Sequence, residues 1–119
     1  MSYQIISTIN AQIYDVNNVR TGWLDKEKSL AYKNALRSFM TVDAGATNQQ
    51  IALIASQLEY LAIYSSAAIT VRINGIGNQA LDVNGQFVLD GSIITELHIT
   101  NPDVTNPITL DIVQGDESV

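Results

Sequence analysis

The chain has 119 residues, the length of one domain, and six basic against twelve acidic residues give it a net charge of −6. That charge argues against a nucleic-acid binder held by phosphate contacts. No cysteine and a single histidine, His98, exclude disulfides, thiolate metal sites, cysteine nucleophiles and a multi-histidine metal site within one chain.

Fifteen Ile, nine Val and nine Thr suit pleated, half-buried strands, and ten Asn and seven Gly suit tight turns. Residues 3–14 alternate with period two, placing Ile5, Ser7, Ile9, Ala11 and Ile13 on one face. The run exceeds the usual strand of about five to six residues. It is therefore either an ordinary first strand that bends or an extended N-terminal arm over residues 1–20. An arm would make contact through Ile5, Ile9 and Ile13.

Residues 15–29 read as irregular, punctuated by Asn17-Asn18, Thr21-Gly22 and Asp25. Trp23 in this stretch either plugs the core edge or binds a partner. Residues 28–42 fit two patterns: a short helix within 24–35, or a strand through Leu36, Met40 and Val42. The reading favours a strand over 36–42 with a helical turn before it.

Short strands are expected at 51–54, 60–64 and 69–73. Asn84-Gly85 between two apolar runs predicts a hairpin joining 80–83 to 86–89. Asp90-Gly91 reads as a further turn. Residues 92–100 then point Ile93, Thr95, Leu97 and Ile99 inward and Glu96 and His98 outward. A last strand follows at 108–112, and 115–119 reads as a frayed tail. About eight short strands with regular turns argue for one all-β domain over 1–119, a sandwich or a barrel, and the favoured form is an antiparallel, jelly-roll-like β-sandwich.

Charge is uneven along the chain. Residues 1–72 hold all six basic residues and net +1, whereas 73–119 hold seven acidic residues, no basic one, and net −7. Such a surface either stays solvated or docks on a basic neighbour. Met-Ser-Tyr-Gln-Ile-Ile lacks the basic and apolar regions of a secretory leader, so the expectation is a chain made in a cytoplasm or assembled there. No stretch is long enough to cross a bilayer as a helix.

Chemistry-bearing constellations are weak. Gly75-Ile-Gly77-Asn-Gln-Ala80 matches a dinucleotide fingerprint in spelling, but a strand, not a helix, is expected after it. Asp82, Asn84 and Asp90 lack calcium-loop spacing. His98 and Glu96 could orient a base, yet no nucleophile motif accompanies them. The chain is accordingly expected to be no enzyme and to hold no cofactor or metal. Tyr60, Tyr64 and Trp23 are the candidates for an aromatic platform, of a kind that binds sugar or packs under a neighbouring chain.

Over residues 43–114, Ile69-Thr-Val-Arg-Ile-Asn-Gly, Gly85-Gln-Phe-Val-Leu-Asp-Gly, Ile94-Thr-Glu-Leu-His-Ile-Thr-Asn-Pro and Ile108-Thr-Leu-Asp-Ile-Val resemble small β-sandwich structural proteins of bacteriophage virions. The resemblance implies a non-enzymatic virion component, capsid-associated and assembled as a homo-oligomer in the bacterial host cytoplasm. Its implied partners are itself and other virion proteins, with no nucleic acid and no membrane. A tail-associated receptor- or carbohydrate-binding module is the alternative.

Overall fold

The fold is described by a computed structural model, over residues 3–116. Ten strands occur among these residues: β1 Tyr3–Tyr14, β2 Arg20–Tyr32, β3 Ala35–Val42, β4 Gln49–Gln50, β5 Leu58–Ser65, β6 Ile69–Ile73, β7 Leu81–Val83, β8 Gln86–Ile94, β9 Leu97–Thr100 and β10 Ile108–Gly115. Strands hold 63% of the described residues and no helix occurs among them, so the fold is all-β and the helical option within 24–35 is overturned.

Every strand pairing among them is antiparallel. One four-stranded sheet has the order β3-β10-β5-β8, and the other β4-β9-β6-β7. Their inward faces share one core, in which Val42, Leu58, Leu61, Val71, Ile94, Leu97, Ile99 and Ile112 are fully buried. Period-two alternation does this along β10: Ile108, Leu110 and Ile112 are buried, and Thr109, Asp111 and Val113 are not. At about 25 cal/mol per Å², each fully buried aliphatic side chain contributes roughly 1.5–3 kcal/mol.

β1 and β2 form a separate two-stranded hairpin, paired with neither four-stranded sheet. Twelve residues of strand span roughly 35–40 Å, and the radius of gyration, 16.0 Å, exceeds the roughly 13.5 Å of a compact chain of this length. Residues 20–32, expected to be irregular and partly helical, are a 13-residue strand. Pairing with β1 along its whole length overrides the weak local signal of Asp25-Lys26-Glu27-Lys28. Asp15 closes the tip: its carboxylate accepts the Asn17 and Val19 amides at 2.8 and 3.0 Å, and Asn18 takes a φ of 61°.

Several local expectations change. Residues 51–54 are not a strand; only Gln49–Gln50 pair, with β9. Asn84-Gly85 is a corner, because β7 belongs to one sheet and β8 to the other. Gly85 has a φ of 98°, and its carbonyl accepts the Ser65 amide. Asp90-Gly91 does not end a strand. It lies within β8 where pairing with β5 slips between Leu58 and Tyr60, and Gly91 has a φ of 85°. That slip reverses the alternation, so Ile94 is buried and Ile93 is 57% exposed. His98, expected outward, is only 8% exposed, held between Gln50 of β4 and Arg72 of β6. Residues 115 and 116 are buried, not frayed; 117–119 lie outside the described residues.

Candidate functional site

The two faces of the hairpin differ in kind. One carries Ile5, Ile9, Ala11, Ile13, Leu24 and Leu30; between them its only charged residues are Lys26 and Lys28. The other carries Gln4, Thr8, Asn10, Gln12, the carboxylates Asp25 and Glu27 and, at the tip, Arg20, with Ile6, Tyr14 and Trp23 as its larger apolar groups. This segregation follows from period-two alternation in both strands and the register that aligns them.

The root of the apolar face is seated on the outer face of the β3-β10-β5-β8 sheet. Gly115 makes this approach feasible: a Cβ there would lie 2.7 Å from Ile5 Cδ1 and 3.1 Å from the Tyr32 ring. Tyr32 is buried and its ring stands 6.2 Å from that of Tyr60. The Tyr60 hydroxyl donates to Ser7 Oγ at 3.0 Å, and Lys28 Nζ lies 2.9 Å from Asp90 of β8. Where β2 turns into β3, the buried Asp116 carboxylate accepts both the backbone amide of Asn34, at 2.7 Å, and its side-chain amide, at 2.6 Å. Burial is the main cause of a Tyr32 phenol held above its ordinary range, and the charges of Asp90 and Glu59 add to it.

Beyond the root, both surfaces are bare. Ile9 and Ile13 of the stripe are 54% and 65% exposed. On the sheet, Phe39, Tyr64 and Val88 are exposed around Ala62 and Val113. In the middle, Arg37 donates from Nε and Nη2 to the two carboxylate oxygens of Asp111, at 3.0 and 2.7 Å. That bidentate bond holds the Asp111 carboxyl below its ordinary range and raises the Arg37 guanidinium. The Arg37 guanidinium also lies 4.7 Å from the Phe39 ring centre.

The structure separates the residues singled out in the sequence. Ile5 belongs to the seated root, and Ile9 and Ile13 to the bare stripe. Trp23 lies on the opposite face of the hairpin, 66% exposed, with the Arg20 guanidinium 4.7 Å from its ring. It does not plug the core. Tyr60 and Tyr64 share the outer face of β5, but Tyr60 is buried beneath the hairpin root while Tyr64 stays open. No platform of Tyr60, Tyr64 and Trp23 is assembled. Phe39, Arg37, Val88 and Asp111 belong to the open face and were missed. The outward positions of β3, β8 and β10 could have revealed them.

The remaining motifs carry no assembled chemistry. A turn and then β7 follow Gly75-Ile-Gly77, leaving no helix N-terminus for a pyrophosphate. Asp90 is engaged by Lys28. Among the described residues no three His, Asp or Glu side chains converge on a metal-sized site. Comparison of the chain with family models, with curated proteins and with solved structures finds no match.

Proposed function

We propose that this chain is a non-enzymatic structural protein of a bacteriophage virion, capsid-associated and working in many copies through protein–protein contacts. The observation that carries the reading is the apolar stripe of the β1–β2 hairpin, anchored at its root and uncovered over its outer half. A two-stranded ribbon is marginal alone in water, so a rigidly rooted one with a bare apolar face is suited to being covered by another chain.

Two further features support it. Counting β3 to β10 as first to eighth, one sheet runs first, eighth, third, sixth and the other second, seventh, fourth, fifth. We propose that these eight strands form a jelly roll, an architecture that recurs in viral capsid and lectin domains. That support is analogy at the level of fold. The resemblance of residues 43–114 to virion β-sandwich proteins supplies the setting.

The test is the mass of the purified full chain in solution, followed by electron microscopy. A regular multi-copy assembly is expected. A single-chain mass at every concentration, with the β circular-dichroism signal intact, overturns the reading.

The exposed Tyr64 and Phe39 beside the Arg37–Asp111 pair favour a second reading, a carbohydrate- or receptor-binding module. Glycan binding that is lost in Tyr64→Ala would establish it.

A further inference from the structure

We propose that the outer half of the hairpin of one copy seats on the open face of the β3-β10-β5-β8 sheet of a second copy. This rests on the multi-copy reading and names its contact.

The first argument is continuity. In each chain the apolar face of the hairpin already lies on this sheet at its root, through Ile5 and Tyr32 over Gly115. Further out a cleft of about 280 Å³ lies between hairpin and sheet, lined by Ser7, Ile9, Lys26, Val88 and Asp90 among others. Val88 also lines a neighbouring depression of about 250 Å³ with Ala62, Tyr64, Gln86 and Val113. Sheet and hairpin thus form the floor and one wall of a single apolar seat.

The second argument is fit. From Ile9 to Ile13 the free stripe is five residues, roughly 15 Å, and the open sheet from Thr109 to Val113 offers roughly the same. Ile9 and Ile13 are 54% and 65% exposed, so this floor does not cover them in their own chain. An exchange of two hairpins about a twofold axis closes the pair and fills both seats. It buries on the order of 1,000 Å², the lower end for specific interfaces.

The third argument is charge. The stripe face carries Lys26 and Lys28 and no carboxylate. On the seat, β8 and β10 present the carboxylates of Asp90 and Asp111, the latter bonded to Arg37 of β3. The root shows the pairing within one chain, Lys28 with Asp90 at 2.9 Å. Lys26, one pair further out, is left for the neighbour.

The chain has no cysteine, so single thiols report the contact directly. Full-length Ile13→Cys and Tyr64→Cys chains, mixed and treated with a short bis-maleimide, are expected to give a two-chain product containing one of each. Val88→Lys on the floor and Leu24→Lys on the stripe, both exposed positions, are each expected to raise the concentration at which the assembly dissociates about tenfold or more, with circular dichroism unchanged.

Three results overturn the seat. One is an Ile13→Cys/Tyr64→Cys double variant that links within a single chain, which means closure in cis. Another is Ile13→Cys linking only to itself, which means stripe on stripe. The third is an assembly that tolerates both lysines and yields no mixed product, and this one leaves the multi-copy reading standing. A wild-type chain that stays single at all concentrations removes both.

Discussion

Ile5 and Gly115 are matched across 110 positions of sequence: the Cδ1 of Ile5 occupies the space a side chain at Gly115 would enter, 2.7 Å from an added Cβ. Gly115 is in regular β10 and has no positive φ, so the requirement for glycine there is space alone. The expected result for Gly115→Ala is a loss of about 1–3 kcal/mol, because the buried Tyr32 ring must also give way. Ile5→Ala should relieve part of it. A double-mutant cycle by thermal unfolding should therefore show Ile5→Ala/Gly115→Ala less destabilised than the two single losses added. Strict additivity would mean that the root does not pack as described.

Gly85 and Gly77 should respond oppositely to substitution. Both have open space where a side chain would project, but only Gly85 has a positive φ, 98°. Gly85→Val should cost on the order of 1–3 kcal/mol through backbone strain at the inter-sheet corner. Gly77→Ala should be neutral or gain up to about 1 kcal/mol by restricting the unfolded chain. Denaturant midpoints of the two variants check this contrast.

Asn101 is the polar residue on which the 101–106 loop depends. It is 1% exposed, and its side-chain amide donates to the carbonyls of Asp43 and Asn106 at 3.1 and 2.9 Å. Its side-chain oxygen accepts the Asp103 amide at 3.0 Å. Asn101→Leu leaves the part-buried backbone groups of Asp43, Asp103 and Asn106 without this partner and should cost about 1–3 kcal/mol, more than a typical surface change. Urea unfolding measures the loss, and an effect below about 0.5 kcal/mol would contradict the burial of this network.

Stability should fall at both ends of the pH scale. The Asp103 carboxyl is held low by hydrogen bonds from the Thr105 amide and from Asn106, and the Asp111 carboxyl by Arg37. A carboxyl depressed in the folded state stabilises above its unfolded value, about 3.9, and that contribution is lost as pH falls through the folded value. Tyr32 is shifted the other way, upward by burial, so its contribution is present below about 10 and is lost as pH rises through its folded value. Asp111→Asn should flatten the acid limb of a stability–pH curve and Tyr32→Phe the alkaline limb. A curve unchanged in either variant contradicts the corresponding assignment.

The sequence alone determined the class of structure and much of the strand placement. Period-two runs at 3–14, 69–73 and 108–112 are strands because alternation is a local consequence of the pleat. Partnership was not local. Asn84-Gly85 marks a reversal of the chain, but only the tertiary structure decided that β7 and β8 go to different sheets. Residues 20–32 have the charges of a solvated loop and become a strand because β1 lies beside them along their full length. The adjacent pair Ile93-Ile94 offers two equivalent inward choices, and the slip opposite Leu58 and Tyr60 selects Ile94. Tyr60 and Tyr64 are equivalent by spacing and differ in exposure only because the hairpin root, held by Ser7 and Gly115, covers one of them. The sequence records which face of a strand a residue occupies. What lies over that face depends on packing between segments far apart in the chain, and no periodicity encodes it.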